Sequence, residues 1–175
     1  RTPIREAIRK LELEGLVLMI PREGAEVAEI TEKSLRDVLE VRRALEELAV
    51  QLACEKITKE EIRELERVAK EFQQVVNSSD ITEIAEVDVC FHDIIYTATD
   101  NQKLIQLLNN LREQMYRYRV EYLKRDGVFP QLIAEHEAII RHIENNEKEK
   151  ATEVMCRHID NQVETVIDVI RAKHS

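Results

Sequence analysis

The sequence predicts an all-α protein, an antiparallel bundle of six to seven helices preceded by a partial winged helix. Three observations predict it. Apolar residues recur at helical spacing from about residue 32 onward. Only three Gly, three Pro and no Trp interrupt 175 residues that are 43% hydrophobic. Strand-like character is confined to a short stretch before residue 31, directly behind a basic helix.

The first element starts at Thr2, a natural N-cap, with Pro3 at the first helical position, where a missing N–H is no loss. Ile4, Ile8 and Leu11 keep helical spacing, while Arg5, Arg9 and Lys10 lie outside them. Gly15 stops this helix. Leu16 to Ile20 reads as a strand, Pro21 to Gly24 as a turn, and Ala25 to Ile30 as the returning strand. A basic helix followed by a two-stranded ribbon is the second half of a winged helix. Residues 1–30 are therefore expected to be part of a DNA-binding domain, and 31–175 a separate helical domain.

Helices are expected at about 32–56, 59–77, 80–98, 101–124, 129–144 and 147–173. Thr58 with Glu61 makes a capping box. Asn77 to Asp80 forms a loop and cap, and Asp100-Asn101 a turn. Asp126-Gly127 closes the fourth helix, Pro130 sits in the first turn of the fifth, and Asn146 caps the sixth. Short loops between amphipathic helices make a bundle.

The formal charge of −9 argues against non-specific nucleic-acid binding by the whole body. Residues 1–10 nevertheless carry Arg1, Arg5, Arg9 and Lys10 against one Glu, so DNA contact belongs to that tip. Cys54, Cys90 and Cys156 are odd in number and widely spaced, which suits a reducing compartment. With no signal peptide and no apolar run near the ~20 residues that span a bilayer, a cytoplasmic protein is expected.

Each body helix has an apolar stripe, and some stripes hold polar residues. In the third it runs Ile81, Ile84, Asp88, Phe91, Ile95, with His92 one turn beyond Asp88, roughly 5–6 Å away between Cβ atoms. In the fifth it is Leu132, Ile133, His136, Ile139, Ile140, Ile143. In the sixth it is Ala151, Val154, Met155, His158, then Gln162, Thr165 and Val169. One carboxylate and three imidazoles thus face one interior. A buried ionised Asp costs several kcal/mol without a partner. A divalent metal removes that cost, and this ligand set suits zinc foremost, with nickel, manganese or iron as alternatives. The competing explanation is an Asp88–His92 ion pair among ordinary core histidines. Cys90 and Cys156 stand two residues before His92 and His158, about 200° round the helix, so they cannot share an ion with them. In the first body helix Arg42 interrupts Leu35, Val38, Leu45, Ala49 and Leu52. It either pairs internally with Glu46 or forms a fork for an anionic ligand. Tyr118, Arg119 and Tyr122 of the fourth helix could line the same pocket or simply fill the core.

With these residues in view, the chain resembles a known family. RTPIREAIRKLELEGLVLMIPREGAEVA is similar to the recognition helix and wing of GntR-family transcription regulators. DVLEVRRALEELAVQLA, then DVCFH at Asp88 to His92, Glu135-His136 and MCRH ending at His158 resemble the FCD ligand-binding domain of the FadR subfamily. The resemblance implies a dimeric, effector-controlled regulator. It implies a divalent metal on Asp88, His92, His136 and His158, and a small organic-acid effector facing Arg42. It implies operator DNA contacts from Arg1, Thr2, Arg5, Arg9 and the wing glycine Gly24. Family members carry two more helices before this point, so the winged helix here is expected to be incomplete. Three other readings remain open, one being that the bundle is only a dimerisation module with nothing bound at its centre. His92-Asp93 is similar to the metal-binding pair of HD hydrolases, although no histidine precedes it as that site needs. Alternatively the ion itself is the signal, as in a metalloregulator.

Overall fold

The computed structural model describes residues 2–78 and 80–173. Its elements are α1 (Thr2–Leu13), β1 (Val17–Ile20), β2 (Gly24–Val27), α2 (Glu32–Lys56), α3 (Lys59–Val75), α4 (Ile81–Ala98), α5 (Gln102–Asn110), α6 (Arg112–Leu123), α7 (Phe129–Glu144) and α8 (Lys148–Lys173).

Helix α1 ends in a glycine-dependent double turn. Leu16 N–H donates to the Leu11 carbonyl at 2.9 Å and Gly15 N–H to that of Glu12 at 3.0 Å, with Gly15 at φ +70°. That is the Schellman arrangement, which needs a left-handed residue at this position. β1 and β2 then pair antiparallel, Val17 opposite Val27 and Ile20 opposite Gly24. The expected ribbon is present, though its second strand stops at Val27.

In the body, Thr31 caps α2 and Thr58 caps α3, each in a reciprocal box with the residue three positions on. Asp80 and Asn101 cap α4 and α5 through their side chains. The two long helices α2 and α8 pack along each other, and α3, α4, α6 and α7 close round them. The core they share includes Leu35, Leu65, Phe72, Ile84, Phe91, Leu132 and Ile139. No helix among the described residues is long and apolar enough to cross a membrane.

Two expectations need correction. The fourth body helix, expected unbroken over 101–124, divides at Leu111 into α5 and α6. There Leu111 N–H bonds to Leu108, three residues back, at 3.1 Å. Arg112 turns sideways to Asp93 of α4, at 2.8 and 3.0 Å from its two oxygens. A tertiary ion pair at this position, with no Pro or Gly, is what a periodicity argument cannot see. Asn146 does not cap the last helix either. It lies outside it in the left-handed region, φ +52°, which Asn tolerates better than most residues, and α8 begins at Lys148.

The amino-terminal elements rest on α6. Gln114 donates its amide to the Glu14 carbonyl, and Arg117 donates to the Ala28 carbonyl at 2.5 Å. Gly15 lies under Gln114, whose amide nitrogen would be 3.1 Å from an added Cβ.

Candidate metal centre

Five helices send polar side chains into one closed interior. α4 supplies Asp88, His92 and Tyr96, α7 supplies Glu135 and His136, and α8 supplies His158 and Gln162. α2 adds Arg42 and Glu46, and α6 adds Arg119. Each is at most 6% exposed, so water does not screen the charges.

The four residues expected to hold a metal meet here. His92, His136 and His158 each offer a ring nitrogen, and the three lie within 4.8 Å of one another. The Nε2 atoms of His92 and His158 are 3.3 Å apart. Asp88 stands outside that trio but touches it, Oδ1 being 3.2 Å from His136 Nε2. His136 is held in place by rings, stacked on Phe91 at 4.1 Å between centroids and edge-on to Phe72 at 5.1 Å.

Hydrogen bonding leaves this centre incomplete. Among the described residues, neither oxygen of Asp88, neither ring nitrogen of His136 and not Nδ1 of His92 makes a hydrogen bond. Buried polar atoms are normally satisfied. Their donor types also fit a metal. A tetrahedral zinc with bonds of ~2.0–2.1 Å sets its ligand atoms roughly 3.3–3.4 Å apart, close to the 3.3 and 3.2 Å contacts above.

Two cations balance the carboxylates. Arg119 Nε touches Asp88 Oδ2, and Arg42 Nε lies 3.1 Å from Glu46 Oε1. Burial opposes ionisation of Asp88, but the Arg119 guanidinium and the nearby imidazoles outweigh it and hold its carboxyl well below the usual range. Burial also opposes ionisation of Glu46, and His92 and Arg42 overcome it in the same way. Glu46 further accepts the Tyr96 hydroxyl and lies 3.4 Å from His92 Nδ1. Burial pushes the His92 imidazole down to about 4 and lowers His136 too, so both rings are neutral, the form that binds metals.

Arg42 thus makes the internal pair with Glu46, and adds a 2.7 Å bond to the Gln162 carbonyl oxygen. Its Nη2 makes no hydrogen bond among the described residues. Arg119 reaches the centre at Asp88, while Tyr118 and Tyr122 are core. The crevice beside His92, Tyr96, Met115, Arg112 and Arg119 holds only about 10 Å³, room for about one water. Asp93 does not join His92. It points to Arg112 and is more than a third exposed, so the HD pair is not assembled. Cys90 is exposed and Cys156 is buried 3.9 Å from Glu47, both away from the imidazoles. Arg5, Arg9 and Gly24 are exposed on the amino-terminal elements. Arg1, the side chain of Thr2 and His174 lie outside the described residues.

Two participants were assigned no role from the sequence, although Gln162 stood in the stripe of its helix. Glu135 accepts from or bonds to His158 Nδ1 at 2.8 Å, and Gln162 meets His158 Nε2 at 3.1 Å. A signal existed for Glu135 as well. Glu135 sits at i+3 from Leu132 and i−4 from Ile139, on the apolar face, where a carboxylate is out of place.

Comparison with known proteins follows the same lines. Residues 37–161 match the FCD domain family. An HTH-type transcriptional regulator of Bacillus subtilis (strain 168), YdhC, is 28% identical over 171 residues, covering 97% of this chain and 76% of its own length. The structure of E. coli McbR/YncC superposes with a TM-score of 0.86 at 21% identity, covering 95% of this chain and 84% of that one. A metal-free FCD domain, that of TM0439, gives 0.68 at 22% identity over 83% of this chain and 99% of that one.

Proposed function

Since the chain belongs to the FCD family of GntR-type transcription regulators, we propose that its helical body binds a divalent metal and a small organic acid, and that this binding controls attachment to operator DNA. It is a transcription regulator and not an enzyme. The observation that carries the metal reading is the group of three buried imidazoles, whose ring nitrogens lie within 4.8 Å of one another, beside the Asp88 carboxylate. Asp88, His92, His136 and His158 would hold the ion, zinc foremost. The metal supplies a Lewis-acidic point for a carboxylate oxygen.

The chain's own residues do the rest. Arg119 and Arg42 flank the centre and keep it from excess negative charge. An incoming acid competes with Asp88 for Arg119 or engages the free Nη2 of Arg42, by the bidentate geometry guanidinium favours. The space beside Arg119 admits only about one water, so an acid can enter only if its walls, drawn from α4, α5 and α6, move apart. Because α6 also carries Gln114 and Arg117, a shift of α6 on entry would reach the ribbon. In DNA binding, α1 would present Arg5 and Arg9 to the major groove and the turn at Gly24 to the backbone, two copies meeting a palindromic site.

Elemental analysis with native mass spectrometry, on protein purified without chelator, tests the reading. One ion per chain is expected, and His136→Ala should lose it while remaining helical. Unchanged metal content in that variant would remove the site. The metalloregulator reading is separated by titrating operator binding first with metal, then with carboxylates at saturating metal.

A further inference from the structure

We propose that Glu135 and Gln162 are positioning residues that lock His158 into a single tautomer, its hydrogen on Nδ1 and its Nε2 an acceptor facing the centre. The inference rests on the metal-site reading above and goes on to say what prepares one of its ligands.

Two contacts on opposite sides of the ring lead to it independently. On one side, Glu135 Oε2 lies 2.8 Å from His158 Nδ1. An ionised carboxylate only accepts, so Nδ1 must carry the hydrogen. The carboxylate cannot turn away, because its other oxygen receives Gln131 Nε2 at 2.9 Å and Asn161 Nδ2 at 2.6 Å. On the other side, Arg42 Nη1 lies 2.7 Å from Gln162 Oε1. A guanidinium has no acceptor, so this contact fixes which end of the Gln162 amide is oxygen. The amide nitrogen is then the atom 3.1 Å from His158 Nε2, and it can only donate. Nε2 must therefore accept.

A protonated imidazolium, the alternative partner for Glu135, would place an N–H against the Gln162 amide hydrogens. The neutral Nδ1–H form satisfies both neighbours. It is also the form in which ligating histidines are held by outer carboxylates. The lone pair that takes the Gln162 hydrogen is the one a cation would use, so Gln162 must release it on loading.

Long-range proton–nitrogen NMR of the metal-free full chain at pH 7.5, in chelator, reads the tautomer without any metal. The expected result is His158 with Nδ1 protonated and Nε2 bare. Zinc titration of wild type, Glu135→Gln and Glu137→Gln follows. Glu135→Gln can offer an amide N–H to Nδ1 and release the other tautomer. It should weaken zinc binding by about 10–100-fold. Glu137→Gln, on the exposed side of α7, should bind as wild type does. A hydrogen on His158 Nε2 in the wild-type spectrum overturns the proposal, and so does an unchanged zinc affinity in Glu135→Gln. Failure of the wild type to bind zinc instead overturns the metal site, and the tautomer spectrum still decides the role of the two residues.

Discussion

At the scale of single residues, the interior is organised by charge balance in a place that water does not reach. Asp88 and Glu46 each keep a guanidinium neighbour, and the imidazoles stay neutral among them. This has a pH consequence for the metal-free chain. Burial holds His92 at about 4 and lowers His136, whereas both rings titrate near 6.5 when unfolded. Between those values the unfolded chain binds more protons, so stability is full above about pH 6.5 and declines as the pH falls toward 4. The loss from His92 alone is about 3 kcal/mol. The carboxylates, held low by their cations, add to it only below their unfolded values near 4. Urea denaturation in chelator between pH 7.5 and 4.5 measures this, and a flat profile above pH 5 would contradict it. The anomalous residues were legible from the apolar stripes: Asp88, His136, His158 and Arg42 each sat inside one, and His92 was found one turn beyond Asp88 on the same face. Which partner each chose was not legible. Arg42 could face Glu46 or a ligand on spacing alone, and the contact with Gln162, 120 residues away, depends on how α2 meets α8.

At the scale of elements, α6 connects the centre to the amino-terminal ribbon. One side of it brings Arg119 to Asp88, and Gln114 and Arg117 hold Glu14 and Ala28. Arg117→Ala should loosen the ribbon without touching the centre. Hydrogen exchange over 14–28 should quicken severalfold in this variant, with zinc affinity unchanged. Equal exchange in both proteins would remove the strut. Gly15→Ala tests the same junction from the other side. It forces alanine to φ +70° beneath Gln114 and should cost about 1–2 kcal/mol. Helix ends were readable wherever a side chain caps them, as at Thr58, Asp80 and Asn101. The division at Leu111 was not, because its cause is Arg112 reaching across to α4. The apparent cap at Asn146 misled for a related reason. Asn suits both an N-cap and a left-handed turn, and only the chain's path selects between them.

At the scale of the whole molecule, the three imidazole-bearing helices α4, α7 and α8 are separate rods that a shared ion would tie together. Binding only to the folded state stabilises it by mass action, about 2.7 kcal/mol at a metal concentration 100-fold above Kd. For a chain of this length that raises Tm by roughly 5–10 °C. Calorimetry with zinc and then excess chelator should show the rise and its reversal, and His136→Ala should show neither. The bundle and ribbon were legible as a whole because periodicity and capping agree along nearly every segment. A cation between His92, His136 and His158 underlies all of this, and anomalous diffraction from crystals grown with zinc would locate it. One strong peak is expected, about 2.0–2.1 Å from a nitrogen of each of the three rings. Peaks only at surface carboxylates, with none between the rings, would contradict it.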